Sequence, residues 1–387
     1  MKAVAYSIDK TEKWEIVSDM DENQISRLEI AGFKSIKNAS IDFGNINVFI
    51  GANGSGKSNL VSFFSMLQSI ADGRLAHYVS SNGGLNAIFH YGVKTTRKIE
   101  VGCYFGNNGY GFELQAGQNG SAYFEKEWFY WNFPDNPDRR TFQLPSGQSE
   151  SQWRIGTDTR IDKFVQPILD KQKWRKYHFH DTSETSSIKQ LCAINDNIEL
   201  AENASNIAAF LYRLRVSDEI CYRNIVRTVR LIAPFFDDFI LRPNPLDDST
   251  IALEWKTQNR DTPFSASQLS DGTLRFICLA CLLMQPYSLK PATIIIDEPE
   301  LGLHPAAISV LAGLIRSASK RNQLILSTQS VELLDEFEPE DIIVVDRKDG
   351  ASVFNRLSAN ELKSWIEDDY SMGDLWKKNV FGGRPGK

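Results

Sequence analysis

A glycine-rich segment, Gly51–Ser58, restricts the possible folds of this chain more than any other stretch of the sequence. It stands between an apolar run, Ile46–Ile50, and a helical pattern, Asn59–Leu67, which together give the strand, loop and helix that a phosphate-binding P-loop requires. Glycines let backbone N–H groups turn toward an anion, and the dipole of the following helix adds to the attraction. We expect Lys57 to reach the β- and γ-phosphates of a nucleotide and Ser58 to place its hydroxyl on Mg²⁺. The predicted nucleotide-binding residues are Asn53, Gly54, Ser55, Gly56, Lys57, Ser58 and Asn59.

Two adjacent carboxylates follow an apolar strand pattern in the C-terminal half of the chain. Thr293–Ile296 is a continuous apolar run, which is typical of a strand that is buried on both faces of a parallel sheet. Asp297 and Glu298 come directly after it, and two carboxylates at the end of a buried strand are costly unless a cation or a reaction uses them. We expect Asp297 to hold Mg²⁺ and Glu298 to polarise the water that attacks the γ-phosphorus. An acidic surface turn is the alternative, which the P-loop in the same chain disfavours.

The composition predicts a cytoplasmic protein. At 387 residues and 42% hydrophobic, the chain can bury one large core or two smaller ones without disulfides. Five cysteines, an odd number without framework spacing, favour a reducing compartment. Cys278 and Cys281 have CxxC spacing, but they stand in an apolar helical run and are predicted to pack in the core. That run is too short to span a bilayer, and Met1–Asp9 lacks the apolar core of a signal peptide.

The net charge of −6 argues against general polyanion binding, so a contact with DNA would have to come from a local basic patch. Two patches qualify. Lys171–Tyr177 mixes cations with aromatic rings that could stack a base. Arg223, Arg227 and Arg230 would line one face of a helix over Ser217–Ile232. A solvated basic face is the ordinary alternative for both patches.

Periodicity predicts an antiparallel lobe followed by a more helical one. Lys98–Phe105, Tyr110–Leu114 and Ala122–Phe129 alternate apolar with polar residues, as strands of a sheet with one buried face do. Asn132–Ser151 is rich in proline and marks a boundary, and Asn206–Leu214 has apolar residues at helical spacing. The predicted divisions are an N-terminal extension (1–24), the P-loop and antiparallel lobe (25–150), a mainly helical inserted lobe (151–260), the rest of the nucleotide-binding core (261–357) and a tail (358–387).

Three further motifs carry a resemblance to a known family. Leu269–Thr273, Ile294–Pro305 and Leu326–Ser330 follow the P-loop in this order and resemble the signature, Walker B and switch motifs of ATP-binding-cassette (ABC) ATPases of the RecF and structural-maintenance-of-chromosomes (SMC) type. The order of the motifs and the ending Ser371–Pro385 are similar to the stand-alone ATPases of the overcoming-lysogenisation-defect group. The resemblance runs from about Ile25 to the end. It implies an α/β fold, a P-loop NTPase of the ABC-ATPase head type with an antiparallel β lobe and an inserted helical lobe.

The resemblance also implies roles for residues outside the P-loop. Ser270, Asp271 and Gly272 match the signature motif, which in the family contacts the γ-phosphate bound by another subunit, with a helix dipole behind it. Glu300–Pro305 matches the D-loop, which in the family couples the two composite sites of a dimer. Gln329 occupies the switch position, where a glutamine can hydrogen-bond phosphate or water but cannot carry a proton charge. The predicted catalytic residues are therefore Glu298, Lys57 and Gln329.

This resemblance predicts an ATP-hydrolysing molecular switch. Two copies would enclose two ATP·Mg²⁺ in a homodimer or higher homo-oligomer, and hydrolysis would release the closure. By resemblance, the output is DNA repair or defence against phage, with a separate nuclease or other effector protein and with DNA as a further partner, and no membrane partner is expected. Three alternatives stay open: an ATP-gated scaffold with negligible turnover, a transporter-type cassette subunit, and a DNA-stimulated repair ATPase.

Other candidate residues are weaker. His178 and His180 stand at i and i+2, so they could supply two zinc ligands from one face of a strand, but a third and fourth ligand are not evident. Arg74, after the P-loop helix, could reach the triphosphate, although a surface turn is favoured. No glutamine stands in an obvious strand-end context after the P-loop helix, and Gln68 is predicted to be structural.

Overall fold

The chain folds around two six-stranded sheets. The computed structural model describes residues 23–117, 120–133, 136–153, 174–258, 262–368 and 370–383. Within these ranges the strands are β1 (Arg27–Phe33), β2 (Ile36–Asp42), β3 (Ile46–Ile50), β4 (Lys98–Phe105), β5 (Asn108–Ala116), β6 (Ala122–Phe133), β7 (Asn136–Gln143), β8 (Trp174–Tyr177), β9 (Cys192–Ala193), β10 (Phe236–Ile240), β11 (Pro243–Asn244), β12 (Asp247–Ile251), β13 (Glu254–Thr257), β14 (Phe264–Ser265), β15 (Thr293–Asp297), β16 (Gln323–Thr328), β17 (Ile342–Lys348) and β18 (Ala351–Arg356). The α-helices are α1 (Lys57–Ala71), α2 (Leu75–Ser81), α3 (Leu85–Ile88), α4 (Ile207–Ser217), α5 (Glu219–Ile232), α6 (Asp271–Met284), α7 (Pro305–Ala318), α8 (Val331–Leu334), α9 (Ala359–Glu367) and α10 (Met372–Lys377).

The central sheet has the strand order β18-β17-β3-β16-β15-β8. From β17 to β8 the neighbouring strands are parallel, whereas β18 runs antiparallel to β17. Ile50 pairs with Thr328 and Asp297 pairs with Ser327, so three neighbouring strands end at the same edge. Ligands of open α/β sheets bind beyond the carboxyl ends of the strands. This edge therefore brings together the P-loop, the two carboxylates and Gln329, which are far apart in the sequence.

The antiparallel lobe that periodicity predicted is the second six-stranded sheet, ordered β2-β1-β4-β5-β6-β7. Its β4 shows the expected alternation, because Ile99, Val101, Cys103 and Phe105 are buried and the residues between them are not. One face of the sheet packs on α1, and the turn between β1 and β2 approaches the start of that helix, where Asn59 Nδ2 donates to Ser35 Oγ at 2.7 Å. The prediction of an α/β fold with an antiparallel lobe is confirmed.

Successive residues of the central strands face two different cores. Ile294 and Ile296 contribute to a core shared with helices α4 to α8, whereas Ile295 contributes to the core between α1 and the antiparallel sheet. Val48 and Phe49 divide in the same way. Side chains of a strand alternate between its faces, so a strand that is covered on both sides is apolar at every position. This explains the continuous apolar runs that lead to the P-loop and to Asp297.

Residues 174–258 differ from the mainly helical lobe expected for 151–260. They hold α4 and α5, but also the strands β8 to β13. β8 is the edge strand of the central sheet, paired in parallel with β15, so the strand that opens this segment belongs to the central sheet. The short strands were missed because two to five residues are too few to show a period. Residues 154–173, within the predicted lobe, lie outside the described part of the chain.

Helix α6 is almost entirely apolar after its first turn. Its core positions include Cys278 and Cys281, both free thiols without solvent exposure, as expected for cysteines that pack rather than react. Burial accordingly raises the pKa of the Cys278 thiol. Among the residues that the structure describes, no helix combines the length and the apolarity needed to cross a bilayer.

Candidate nucleotide-binding site

The P-loop follows β3 and leads into α1, and each of its three glycines is needed for its backbone conformation, for the lack of space around it, or for both. Gly54 and Gly56 have φ values of +80° and +120°, where other residues are strained. A Cβ on Gly56 would stand 2.0 Å from the Ser352 hydroxyl oxygen, and one on Gly51 would stand 2.2 Å from the Val345 carbonyl oxygen. The loop is therefore closely enclosed by β17 and β18 and keeps its turn only with glycine at these positions.

Hydroxyl groups from distant segments hold the P-loop in place. The Ser352 hydroxyl donates to the Ser55 carbonyl at 2.5 Å, and its oxygen lies 2.6 Å from the Ser35 hydroxyl oxygen. Ser35 accepts from the Asn59 side chain, and the Ala52 N–H donates to the Gly383 carbonyl at 2.7 Å. Sequence reasoning missed Ser35 and Ser352, since no motif marks them and 317 positions separate them.

Lys57 is 5% exposed and lies over the loop. Its Nζ donates to the Gly51 and Ala52 carbonyls at 2.5 and 3.2 Å. Burial lowers the pKa of Lys57, and the negative charges of Glu298 and Asp297 oppose that shift. The ammonium group is thus buried over the P-loop, in the electrostatic field of the two carboxylates predicted to act with it. Asn53, Gly54 and Ser58 are exposed, whereas Ser55 and Gly56 are buried and Asn59 is half-buried.

The end of β15 and the end of β16 form the acidic side of the site. Gln329 Nε2 donates to Glu298 Oε1 at 2.5 Å, and the Ser327 hydroxyl donates to Asp297 Oδ1. Glu298 has a φ of +42°, and its N–H donates to the Ser327 carbonyl at 2.7 Å. A positive φ at a glutamate is uncommon and turns its side chain out of the strand direction. The predicted switch residue and the predicted base are therefore in direct contact.

Glu300 is a member of the site to which sequence reasoning gave no individual role. It is 9% exposed, and its Oε1 accepts from the Thr328 hydroxyl at 2.6 Å and from the Gln329 N–H at 3.3 Å. Burial raises the pKa of Glu300, although these hydrogen bonds oppose the shift. The carboxyl group fixes the backbone that carries Gln329. The sequence did offer one sign of this role. Glu300 stands between apolar residues at the start of the D-loop match, where burying a glutamate is costly unless it has hydrogen-bond partners.

The side chains at this edge are suited to Mg²⁺. Ser58 and Asp297 provide a hydroxyl and a carboxylate oxygen, and Mg²⁺ in nucleotide sites takes oxygen ligands from one or two side chains, from phosphate and from water. The described residues contain no group of three or more His, Cys, Asp or Glu that could hold a metal by themselves. The donor set therefore fits an ion that is bound together with a nucleotide, rather than a resident structural metal.

The signature residues stand at the start of α6. The Ser270 hydroxyl accepts from the Thr273 N–H at 3.2 Å and caps the helix. Asp271 lies 3.8 Å from the Lys189 ammonium. A Cβ on Gly272 would come within 2.3 Å of the Gly302 carbonyl oxygen, so the D-loop rests directly on this first turn. Ser270 and Asp271 are exposed, and their side-chain contacts within the described part of the chain, with Thr273 and Lys189, do not include the P-loop.

Comparison with known proteins assigns the family. Residues 46–335 match the model of the family described as "AAA domain, putative AbiEii toxin, Type IV TA system". The chain belongs to this family. No curated protein sequence matches the chain.

Solved structures show where this AAA-domain protein stands among P-loop folds. An SMC head bound to the C-winged helix domain of ScpA is 20% identical, with a TM-score of 0.58 over 88% of this chain and 99% of that one. An SMC head with an extended coiled coil, derived from Pyrococcus furiosus and bound to the C-terminal domain of ScpA, is 19% identical, with a TM-score of 0.56 over 89% and 99% of the two chains. One with a coiled coil and joint from Pyrococcus yayanosii is 14% identical, with a TM-score of 0.53 over 89% and 99%. The likeness confirms the fold of the RecF/SMC-type ATPase head.

The two basic patches of this AAA-domain protein are less accessible to nucleic acid than the sequence suggested. Trp174 and Tyr177 are 2% and 1% exposed in β8, so neither ring can stack on a base, which was one of the two interpretations left open; residues 171–173 lie outside the described part. In the arginine row on α5, Arg223 pairs with Glu219 at 3.1 Å and Arg230 with Asp237 at 2.8 Å. These ion pairs favour the ordinary reading of a solvated helix face.

The weaker candidates have structural partners. Gln68 Nε2 donates to Glu202 Oε1 at 2.6 Å, which agrees with a structural role, and exposed Arg74 donates to Asp72 at 2.5 Å. His178 and His180 follow the end of β8 instead of lying on one strand face. His180 is adjacent to the nucleotide site, since its ring reaches the Asp297 carbonyl at 2.8 Å. The sequence held no direct sign of this contact.

Gly56→Ala is expected to weaken ATP binding by roughly 5- to 150-fold, which corresponds to a strain of about 1–3 kcal/mol. The reason is the combination of the φ of +120° with the Ser352 hydroxyl at 2.0 Å from the added Cβ. Isothermal titration of ATP with both proteins measures the effect. Gly73→Asn is the control, because Gly73 has a φ of +67° with open space around it beyond α1, and asparagine tolerates this conformation. Equal affinities of Gly56→Ala and wild type would show that the loop does not bind phosphate in this geometry.

Proposed function

We propose that this AAA-domain protein binds and hydrolyses ATP with Mg²⁺, and that two copies close around the nucleotide to form a switch. The observation that carries the proposal is the convergence of Lys57, Glu298 and Gln329 at the ends of β3, β15 and β16. Gln329 holds Glu298 at 2.5 Å, and the carboxylates act electrostatically on Lys57. A cationic phosphate ligand, a base and a polar partner of the base are the groups that phosphoryl transfer to water requires.

The residues of the site divide the work of hydrolysis. The N–H groups of the P-loop and the start of α1 bind the phosphates, and Lys57 neutralises the β- and γ-phosphate oxygens. Glu298 orients and polarises the attacking water, while Gln329 fixes the Glu298 side chain through its amide. When bound through Ser58 and Asp297, Mg²⁺ supplies further neutralisation of charge on the phosphates.

The proposal of a dimer rests on the exposed signature turn. Ser270 and Asp271 are exposed at the start of a 14-residue helix, and Leu301 of the adjoining D-loop is 41% exposed. A helix start of this kind attracts phosphate, and, within the described residues, the side-chain contacts of Ser270 and Asp271 do not include the P-loop of their own chain. The ligand of this helix start would be the γ-phosphate of the ATP that a second copy binds. Because the γ-phosphate contacts both subunits only when they are closed, ATP would shift the population toward the dimer and ADP would not.

The direct test is self-association measured by sedimentation, with ATP·Mg²⁺ and with ADP·Mg²⁺, beside the release of phosphate. The proposal expects dimers with ATP and monomers with ADP in a protein that turns ATP over. Dimers with ATP but no phosphate release would favour the ATP-gated scaffold instead. Monomers under all conditions would contradict the closed dimer.

Ser270→Asp is expected to lower turnover by about 100-fold, the size of effect seen when one charge-stabilising donor is lost. Aspartate is as good an N-cap as serine, so α6 stays capped, but its charge repels the γ-phosphate. Steady-state phosphate release measures the effect, and thermal unfolding checks that the fold is retained. Ser267→Ala is the control, since Ser267 is an exposed serine of the preceding turn. Turnover of Ser270→Asp at the wild-type rate would remove the signature turn from the mechanism.

We further propose a cytoplasmic role in DNA repair or in defence against phage, with a separate nuclease or other effector that reads the closed state. The support is the resemblance of the motifs to those of RecF-type ATPases. ATPase rates with and without duplex DNA, over a series of salt concentrations, test the DNA-stimulated form of this proposal, because contacts to phosphate weaken steeply with salt. If duplex DNA leaves the ATPase rate unchanged at low salt, an effector protein without DNA is favoured as the partner.

A further inference from the structure

Arg275, in the second turn of α6, joins three segments that the proposed mechanism has not connected. Its Nε donates to the Phe179 carbonyl at 3.2 Å, and its Nη2 donates to the His180 carbonyl at 2.8 Å and to the Thr182 hydroxyl at 3.3 Å. Its Nη1 donates to the Leu301 carbonyl at 2.8 Å. One guanidinium group thus holds the loop after β8, which we name the β8 loop (residues 178–182), and the D-loop against the signature helix.

The β8 loop in turn holds the end of the Walker B strand. His180 Nε2 lies 2.8 Å from the Asp297 carbonyl oxygen. A carbonyl only accepts, so Nε2 carries the hydrogen of this bond. The contact follows from topology: β8 is the parallel neighbour of β15, with Tyr177 beside Ile296. The two strands therefore end together, and the β8 loop leaves the sheet beside Asp297.

The contacts of His180 and of Arg275 together connect the end of the Walker B strand with the signature helix. We propose that His180 and Arg275 are positioning residues. His180 fixes the main chain of Asp297, and Arg275 couples that contact to the position of the signature helix α6. The proposal rests on the proposed function, in which Asp297 serves the nucleotide of its own subunit and α6 serves that of the partner. Displacement of α6 by the partner's nucleotide would then be felt at the metal carboxylate of the same subunit.

The close fit of the D-loop explains why such a displacement would be transmitted. A Cβ on Gly302, which has a φ of +76°, would stand 2.7 Å from Arg275 Nη1. A Cβ on Gly272 would stand 2.3 Å from the Gly302 carbonyl. Close-packed segments transmit displacement because no void absorbs it. Arg275 also gives its donors to backbone carbonyls of two different loops, which orients both and is not the pattern of a surface ion pair.

The test compares the affinity for ATP with Mg²⁺ and with EDTA, using a fluorescent ATP analogue as the probe. Second-shell partners of metal sites typically contribute about 10- to 100-fold in metal affinity. His180→Ala and Arg275→Ala are therefore expected to lose about 10-fold or more of the gain that Mg²⁺ gives to nucleotide affinity, while the affinity in EDTA stays unchanged. His180→Gln is expected to keep the gain, because the glutamine amide N–H can reach the Asp297 carbonyl.

A matched arginine separates positioning from general stability. Arg213, on α4, donates from Nη1 to the Asn197 and Ile198 carbonyls at 2.9 and 2.6 Å, in the segment that precedes this helix. Arg213→Ala should leave the Mg²⁺-dependent gain unchanged even if the protein unfolds at a lower temperature. An equal loss in Arg213→Ala, or an undiminished gain in His180→Ala, would overturn the proposal.

The experiments distinguish a failure of the dimer proposal from a failure of the positioning proposal. At protein concentrations too low for dimers to form, the Mg²⁺-dependent gain is a property of one subunit, whereas Ser270→Asp affects turnover through the partner. If Ser270→Asp keeps full turnover while His180→Ala loses the gain, the proposed dimer fails and the contact of His180 with Asp297 is supported. If Arg275→Ala does not fold, the comparison of His180→Ala with His180→Gln decides the question.

Discussion

Glu298→Gln is expected to lower steady-state ATP turnover by about 100- to 10,000-fold and to leave ATP binding intact, because general acid–base groups contribute factors of this size. The amide keeps the shape of the side chain and an oxygen that can accept from Gln329 Nε2, which now donates at 2.5 Å. What it loses is the negative charge that polarises water. Phosphate release gives the turnover, and titration of ATP gives the affinity.

The same variant should accumulate as the ATP-bound dimer. Hydrolysis is the step that releases closure in the proposed switch, so blocking it leaves the closed state populated. Glu332→Gln is the control, since Glu332 is an exposed carboxylate just beyond Gln329 that accepts from the Ser330 hydroxyl at 2.9 Å. If Glu298→Gln hydrolyses ATP as fast as wild type, the base lies elsewhere. If neither protein turns ATP over measurably, the scaffold reading is favoured.

Mixing Lys57→Ala with Ser270→Asp is expected to restore activity that each variant lacks alone. Lys57→Ala destroys the P-loop site of its own subunit, because the loss removes the cation that neutralises the phosphates. Ser270→Asp destroys the signature face that its subunit gives to the partner. In each homodimer both composite sites contain one defect. In the mixed dimer one site contains both defects and the other contains none.

An equimolar mixture should therefore turn over ATP at about a quarter of the wild-type rate, since half of the two-fold dimers are mixed and each has one intact site. The measurement is phosphate release from the mixture, beside each variant at the same total concentration. Lys57→Ala mixed with Ser267→Ala is the control, in which both partners have intact signature faces and only one has an intact P-loop. A mixture that stays as inactive as its components would contradict the sharing of sites between subunits.

The local chemistry of the site could be predicted because each motif is contiguous. Gly54, Gly56 and Lys57 stand at fixed spacing after an apolar strand, and the structure gives both glycines positive φ values. Asp297 follows a run that is apolar at every position, and β15 proves to be covered on both faces. In both cases the pattern reports the conformation directly, because strand burial and tight turns are properties of a few neighbouring residues.

The prediction was weaker where short elements belong to distant partners. Trp174 and Tyr177 were interpreted as part of a basic, aromatic surface patch, but both side chains are buried in β8, the edge strand of the central sheet. A four-residue strand with two cations between two aromatic rings has the same composition as a nucleic-acid contact. Only its pairing with β15 decides which of the two it is.

The sequence by itself determined the strand, loop and helix of the P-loop, the strand that ends in Asp297 and Glu298, and the apolar helix behind Ser270. Each depends on interactions between residues a few positions apart. The tertiary structure decided which of these groups meet: the Gln329 amide with Glu298, the Ser352 hydroxyl with Ser55 across 297 positions, and His180 with Asp297 across 117. The physical reason is that neighbouring strands of a parallel sheet are chosen by the packing of whole layers, and the order of residues along the chain does not encode that choice locally.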